Sequence, residues 1–389
     1  MRARRPLLTA ALLLAGACSD QSDTPFGPDA MDPATVHPGA ATLAVMTRNL
    51  YVGADVDAVI AALASPDPAD DIPALFAAVA TLQETDFPAR ASAVADEIAR
   101  FRPHAVGLQE VSTVDLTIPP LGVDLHLDFL PVLQAELAER GLTYDVAARV
   151  RNIEAAPLPG VSLLDDDVLL IDRNRVRVQS AAGQHFTANL GQVAPGVVLQ
   201  RGFVRANVVI GGEAYVIAST HLESGSTAGL DQLRALQAGE LAQALGSAPD
   251  AIVMGDLNDG PGSLMHQVLE GAGFADAWAA LRPGVVGFTC CHLADLSDQI
   301  APFSQRIDYV FVRGVSHGGN LLGHISPTGD LPADRVAGPE HPIWPSDHAG
   351  LIAQLNLTGG NRSRSYSERP SRSRMRRRWP GVSMSRATT

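Results

Sequence analysis

Six places in this 389-residue chain set a carboxylate, an amide or an imidazole behind or beside an apolar run. The most explicit is Ala251-Ile-Val-Met-Gly-Asp-Leu-Asn-Asp259, where apolar residues lead into Gly255, Asp256 and Asn258. Such a run followed by Gly reads as a core strand delivering its last residues to an open sheet edge, where ligands commonly bind. An acid and an amide two residues apart at that point suit metal-assisted chemistry. Asn49, Glu110, His221, Asp308 and the pair Asp347-His348 repeat the arrangement. Gly-Asp-x-Asn also has a plain reading, because Asp and Asn often bond their own backbone in turns. Six such strand ends are harder to explain that way than one.

Only neighbouring strands can bring these residues together. Apolar patterning places strands at 42–48, 105–110, 167–171, 203–210, 214–219, 251–255, 307–312 and 349–355. Helical periodicity falls at 87–101, 129–140, 229–245 and 263–271.

The segments Met46-Thr-Arg-Asn-Leu50, Gly107-Leu-Gln-Glu-Val111, Ser219-Thr-His-Leu222, Met254-Gly-Asp-Leu-Asn258, Arg306-Ile-Asp-Tyr-Val310 and Ser346-Asp-His-Ala349 carry a resemblance. Their order and spacing are similar to those of the endonuclease/exonuclease/phosphatase superfamily. That group includes deoxyribonuclease I, abasic-site endonucleases, bacterial sphingomyelinases and inositol-polyphosphate phosphatases. The resemblance is specific for the superfamily and poor at naming a substrate. It implies a deoxyribonuclease I-like, four-layer α/β sandwich of two packed mixed sheets flanked by helices, and the strand and helix pattern agrees.

The resemblance also implies roles. Glu110 would be the main ligand of a Mg²⁺, with Mn²⁺ or Ca²⁺ as substitutes, hard ions that prefer oxygen donors. Asn49 would support the metal or the phosphate, and Asp347 would complete the metal site. His221 and His348 would hydrogen-bond the scissile phosphate, with Asp308 fixing the tautomer or charge of His348. Asp256 would orient or deprotonate the attacking water, and Asn258 would hold a phosphate oxygen. The implied chemistry is in-line displacement at phosphorus.

Some positions depart from the family pattern. Tyr51 stands where the abasic-site branch has an acid that helps hold metal, which argues against close kinship with those repair enzymes. The nearest match to the Glu that deoxyribonucleases pair with the first His is Glu154, which reads rather as a solvated loop carboxylate. Arg201 and Arg205 are expected as phosphate contacts or as surface charges. The insertion from Gly53 to Phe87 is expected to overhang the active face, selecting substrate as a loop or packing as a helix, since Ile72 to Leu82 is largely apolar.

A hydrophobic content of 46% is ample for a core, and one catalytic domain is expected over 41–357. Residues 1–17 read as a secretory signal peptide, with a basic start, a short apolar core and small residues at its end. Leu14-Ala-Gly-Ala before Cys18 resembles a bacterial lipobox. It implies a lipid anchor on Cys18 and a place in the cell envelope, periplasmic or at the cell surface. Ala15 replaces the usual Leu, so a secreted soluble form is the alternative. Residues 18–40 read as a flexible tether and 358–389 as a disordered, Arg-rich tail.

The whole chain carries −13, yet the tail holds nine Arg against one Glu and the leader three Arg, so residues 19–357 carry −24. A domain that acidic repels polyanions at long range and counts against a processive nuclease. Cys290 and Cys291 read as loop thiols, reduced or oxidised, without a catalytic role. With His292 they do not readily form a tetrahedral zinc site.

These features predict a metal-dependent phosphoesterase of the cell envelope, acting on a phosphodiester in nucleic acid or in a phospholipid head group. It is expected as a monomer, with no protein partner evident. The alternatives are an inositol-phosphatase-like phosphomonoesterase and a non-catalytic binding protein on the same fold.

Overall fold

A computed structural model describes residues 41–67, 69–119, 122–314 and 321–357. The signal, Cys18, the tether and the tail lie outside the described residues. In chain order, β1 (Ala41–Asn49) is followed by α1 (Val56–Ala64), α2 (Asp71–Glu84) and α3 (Phe87–Phe101). Next come β2 (Ala105–Ile118), β3 (Val123–Asp128), α4 (Phe129–Glu139), β4 (Tyr144–Leu158), β5 (Val161–Asp172) and β6 (Val176–His185). Two short strands, β7 (Gly191–Ala194) and β8 (Val197–Leu199), precede β9 (Gly202–Ile210), β10 (Glu213–His221) and α5 (Ala228–Leu245). Then follow β11 (Ala251–Asp256), α6 (Leu264–Gly271), β12 (Ala275–Asp276), α7 (Ala277–Leu281) and β13 (Asp308–Arg313). The last strands are β14 (Gly323–Thr328), β15 (Val336–Ala337), β16 (Pro342–Ile343) and β17 (Gly350–Leu357).

Two mixed sheets pack face to face. The first runs β14-β17-β1-β2-β5-β4-β8-β7 with β3 on the far part of β2, and the second runs β12-β13-β11-β10-β9-β6. Each has one parallel pair, β1 with β2 and β10 with β11. A parallel pair needs a long crossover, and α3 and α5 lie on these connections.

Strand alternation decides which side chains meet. Leu43 and Val45 of β1 join Ile217, Ile252, Met254 and Leu351 in the core between the sheets. Met46, one residue on, faces Phe87, Val94 and Ile98 of α3 and Phe129 and Leu133 of α4. On the second sheet, Ala218, Val253 and Phe311 face Leu241 of α5 and Leu269 of α6. Three apolar layers between four layers of structure give the expected α/β sandwich.

Every strand and helix read from patterning is present, most of them within one or two residues at the ends, but β2 runs eight residues beyond its reading and β5 starts six residues before its own. The whole hairpin series from β3 to β8 is under-read in the sequence, apart from the second half of β5. The Gly53–Phe87 insertion is helical rather than a loop. Its α2 packs Leu75, Val79 and Leu82 on Val114 and Leu116, where β2 extends beyond the body of the sheet. The ends of the domain meet, with Ala41 opposite Leu357 in the β1–β17 register.

His104 closes the turn into β2. It is buried, and its Nδ1 accepts the Ala44 N–H at 3.1 Å. Burial, then the nearby Arg175 charge, push its pKa down to about 4. A group lowered on folding contributes stability that is complete above its unfolded value near 6.5 and is lost as pH falls through 4. After allowance for solvent screening, wild type should lose about 1–2 kcal/mol from this group between pH 7 and 4.5. In urea titrations at those two pH values, His104→Asn should lose correspondingly less. An equal loss in both proteins would remove His104 as the source.

Candidate active site

The chemistry-bearing residues all emerge at one edge of the sandwich. The parallel strands β1, β2, β10 and β11 run toward this edge, bringing Asn49, Glu110, His221 and Asp256. The antiparallel strands β13 and β17 start from it, so Asp308 opens β13 and Asp347-His348 precede β17. In register, His221 lies beside Asp256 and Asp256 beside Asp308, a single row across three strands. At Gly255 an added Cβ would stand 1.9 Å from the Thr220 carbonyl oxygen, so only glycine lets β11 pass so close to β10.

Glu110 owes its direction to an irregularity. The β2–β5 register shifts between Leu108 and Val111, and Glu110 sits there at φ 56°. A bulge of this kind re-aims a side chain. Tyr51 and Asn258 also adopt positive φ, so half of the six described non-glycine residues in that region of backbone space belong to this edge. Clustering of such conformations is a mark of functional sites.

Glu110 is held from both oxygens. Oε1 accepts from Asn49 Nδ2 at 2.9 Å, and Oε2 accepts the Val52 N–H at 2.8 Å. Asn49 Nδ2 also donates to Asp256 Oδ2 at 3.2 Å, while Asn49 Oδ1 accepts the Tyr51 N–H at 2.8 Å. Asn49 thus bridges the two sheets and braces both carboxylates. It does not line the cavity, and its place is as their support.

Burial, followed by the neighbouring Asp347 charge, raises the Glu110 pKa to about 7. A buried carboxylate whose ionisation is opposed by a second carboxylate fits a hard divalent cation, which would relieve the repulsion through oxygen donors. Asp256, Asp308 and His348 also lie within ligating reach of one another. There, however, His348 Nδ1 is engaged with Asp308 Oδ2 at 2.9 Å, so the imidazole already meets that carboxylate. A third grouping, Cys290, Cys291 and His348, rests on two adjacent cysteines, which do not readily give tetrahedral ligation. Glu110 and Asp347 are the better match to a cation.

The two imidazoles differ in charge. For His348, burial favours the neutral form, but Asp308, Asp347 and Asp256 together raise its pKa well above the usual value. For His221, burial and then the Arg201 and His348 charges push the pKa well below it. A neutral donor and an imidazolium therefore flank Asp256, with His221 Nε2 at 3.6 Å and His348 Nδ1 at 3.9 Å from Asp256 Oδ2. Burial, then Asp308, raise Asp256 itself to about 7, against the opposing pull of His348 and the N–H of Asn258. That N–H donates to Asp256 Oδ1 at 3.0 Å.

Glu110, His221, Asp256, Asp347 and His348 line a cavity of about 270 Å³ that also takes in Asp55, Asp57, Asp165, Asn258 and Arg201, while Asp308 lies behind His348. Arg201 is buried, and its Nη1 lacks a hydrogen-bond partner, as does Nδ1 of His221. An unpaired guanidinium N–H beside such a cavity suits an anion. Arg205 does not reach the cavity. It turns away to donate to the Ala244 carbonyl at 2.8 Å, so its expected phosphate contact is not made. Glu154 lies exposed on strand β4 rather than in a loop, outside the residues lining the cavity and away from His221.

Sequence reasoning missed three supports. Asp165 lines the cavity and accepts from Ser112 Oγ at 2.8 Å, with its pKa raised to about 8 by burial and then by Glu110. Arg48 is buried and pairs with Glu97 at 2.9 Å while also donating to the His348 carbonyl. Arg90 of α3 donates to the backbone carbonyls of Thr85 at 2.7 Å, Tyr51 at 3.0 Å and Pro345 at 3.3 Å, and to that of Leu50. Periodicity could have found Arg90, which sits three residues after Phe87 and four before Val94, on the buried face of its own helix.

A two-sheet sandwich with carboxylates, amides and imidazoles gathered at one strand edge is the framework of phosphoesterase-like proteins. The model of the Endonuclease/Exonuclease/phosphatase family matches residues 49–348, and the chain belongs to that family. Its members are hydrolases of phosphoester bonds and typically use a divalent metal.

Among solved structures, an endonuclease/exonuclease/phosphatase from Beutenbergia cavernae DSM 12333 aligns at TM-score 0.52 and 20% identity, covering 81% of this chain and 72% of that one. A family protein from Leptotrichia buccalis C-1013-b aligns at TM-score 0.51 and 13% identity, covering 81% and 99%. Humanized D. rerio TDP2 aligns at TM-score 0.47 and 18% identity, covering 81% and 99%. At these identities the likeness of the first two is one of fold. No curated protein matches the sequence.

Proposed function

We propose that this protein is a metal-dependent phosphodiesterase working by in-line attack of water. The observation that carries the reading is one cavity walled by Glu110, His221, Asp256, Asp347 and His348, with Asp308 behind it holding His348. A cation held by Glu110 and Asp347 would place positive charge at a phosphate oxygen. Asp256 then orients the water and takes its proton, which suits a carboxylate whose pKa is raised toward neutrality. Imidazolium His348, held by Asp308, and neutral His221 hydrogen-bond the phosphate from either side. Asn258 and Arg201 supply further donors. The many acids at the cavity favour a diester, with one negative charge, over a monoester dianion. An envelope setting for this activity rests on the leader and Cys18 alone.

A panel of bis-p-nitrophenyl phosphate, plasmid DNA, RNA, sphingomyelin and phosphatidylinositol phosphates with Mg²⁺ tests the reading. Hydrolysis of a diester should stop in EDTA, and Glu110→Ala should lower kcat/KM by roughly 10²–10⁴-fold. Persistence in EDTA, or a wild-type rate in the variant, would remove the metal mechanism.

A further inference from the structure

Beside the catalytic cavity runs a second cleft, of about 90 Å³, between the α1–α2 insertion and the outlying parts of β2, β4 and β5. Val52, Ala54 and Val56 belong to the walls of both, so the cleft opens from the place where the phosphate would lie. Of its lining side chains only Ser162 is polar. One wall is α1, whose sequence Val56-Asp-Ala-Val-Ile-Ala-Ala-Leu-Ala64 is almost wholly apolar. Yet none of its residues is buried, although Val59, Ile60 and Leu63 face the cleft. Val56, Val59, Ile60 and Leu63 are half-buried, so this apolar helix beside the reaction site is only partly covered by its own fold.

We infer that this cleft holds the aliphatic chain of the substrate, so that the protein acts on phosphoesters carrying an alkyl or acyl tail. The inference rests on the phosphodiesterase reading and names its substrate class. Polynucleotides fit the cleft poorly, since it presents no charge or stacking ring to a sugar-phosphate chain. A cavity of about 150 Å³ takes the six carbons of benzene, so a cleft of about 90 Å³ takes a chain of about three to four carbons. Each methylene buried should tighten binding about fourfold until the cleft is full.

The test is a homologous series of p-nitrophenyl alkyl phosphates from methyl to octyl, held below micelle-forming concentrations. Steady-state kcat/KM is measured for the series. Calorimetric binding of methyl and octyl phosphate is measured in parallel, in wild type and Leu63→Glu. Leu63 is only partly covered, so this substitution leaves the core intact.

Both kcat/KM and affinity should rise with chain length and level off beyond about four carbons. In Leu63→Glu the advantage of octyl over methyl should shrink at least tenfold. A flat series in wild type, or an unaltered octyl advantage in the variant, would overturn the inference. So would a dimer in sedimentation that Leu63→Glu dissolves, because the cleft would then face a second copy. Hydrolysis without chain-length dependence would sink this inference and spare the phosphodiesterase reading. Chain-dependent binding without hydrolysis of any diester would do the reverse.

Discussion

Asp256→Asn should reduce kcat on any diester the enzyme accepts by roughly 10²–10⁴-fold, the range expected for loss of a general base. The amide keeps the shape of the side chain, and its oxygen can still accept the Asn258 N–H that Asp256 Oδ1 accepts at 3.0 Å. What is lost is the ability to take a proton from the attacking water, together with the bond that Oδ2 accepts from Asn49 Nδ2. Stability should move the other way or stay level. The wild-type carboxylate is buried, and its ionised form is disfavoured first by burial and then by Asp308. Replacing it with a neutral group removes that cost, a trade common where residues are kept for activity rather than folding. Single-turnover rates and thermal melts on the same preparation check both halves. A slow variant that also melts well below wild type would mean that Asp256 acts mainly in folding.

The largest effect on stability should come from a residue that touches no reacting group. Arg90→Met should cost about 3 kcal/mol and lower Tm by roughly 6–10 °C. Its guanidinium lies fully inside the protein and satisfies carbonyls of Leu50, Tyr51, Thr85 and Pro345. Burial pulls its pKa down to about 10, so the cation is held at a cost that methionine would relieve. Four orphaned carbonyls outweigh that relief. Arg90→Lys should lose nearly as much, because one ammonium cannot match a planar fork spread over four acceptors. Both substitutions also loosen the segment presenting the Val52 N–H to Glu110, so kcat/KM should fall along with Tm. If Arg90→Met unfolds within 1 kcal/mol of wild type, the clamp is dispensable.

The sandwich was legible because its central strands and packing helices are buried on regular faces. Ala251-Ile-Val-Met and the 87–101 helix show the same pattern in sequence as in packing. The hairpin half was not, for a physical reason. In β6 only Val176 is buried, so Arg177-Val-Gln-Ser-Ala-Ala-Gly carries no alternation to read. In β5, Asp165, Asp166 and Asp167 are all buried, and three acids in succession look like the end of a strand rather than its middle. Asp166 is tolerable there because Arg149 and Arg151 reach it from β4.

The site divides in the same way. Residues at strand ends were visible because an apolar run points at each of them. Arg48, Arg90 and Asp165 act from inside the layers, where a charge has no signature except its improbable position. Arg205 and Arg201 show the limit. Both lie around one strand start, yet only Arg201 reaches the cavity wall, and that difference depends on tertiary direction.

The pairing of Ala41 with Leu357 fixes where anything joined to this domain must attach. β1 takes eight steps from Ala41 to Asn49, about 26 Å at strand spacing, and β17 runs the same course in reverse. Both points of attachment therefore sit side by side at the pole opposite the reactive edge. Cargo, anchor or fusion partner joined at either one leaves the mouth of the cavity facing outward, so the domain can be fixed to a surface by its tail ends and still meet its substrate.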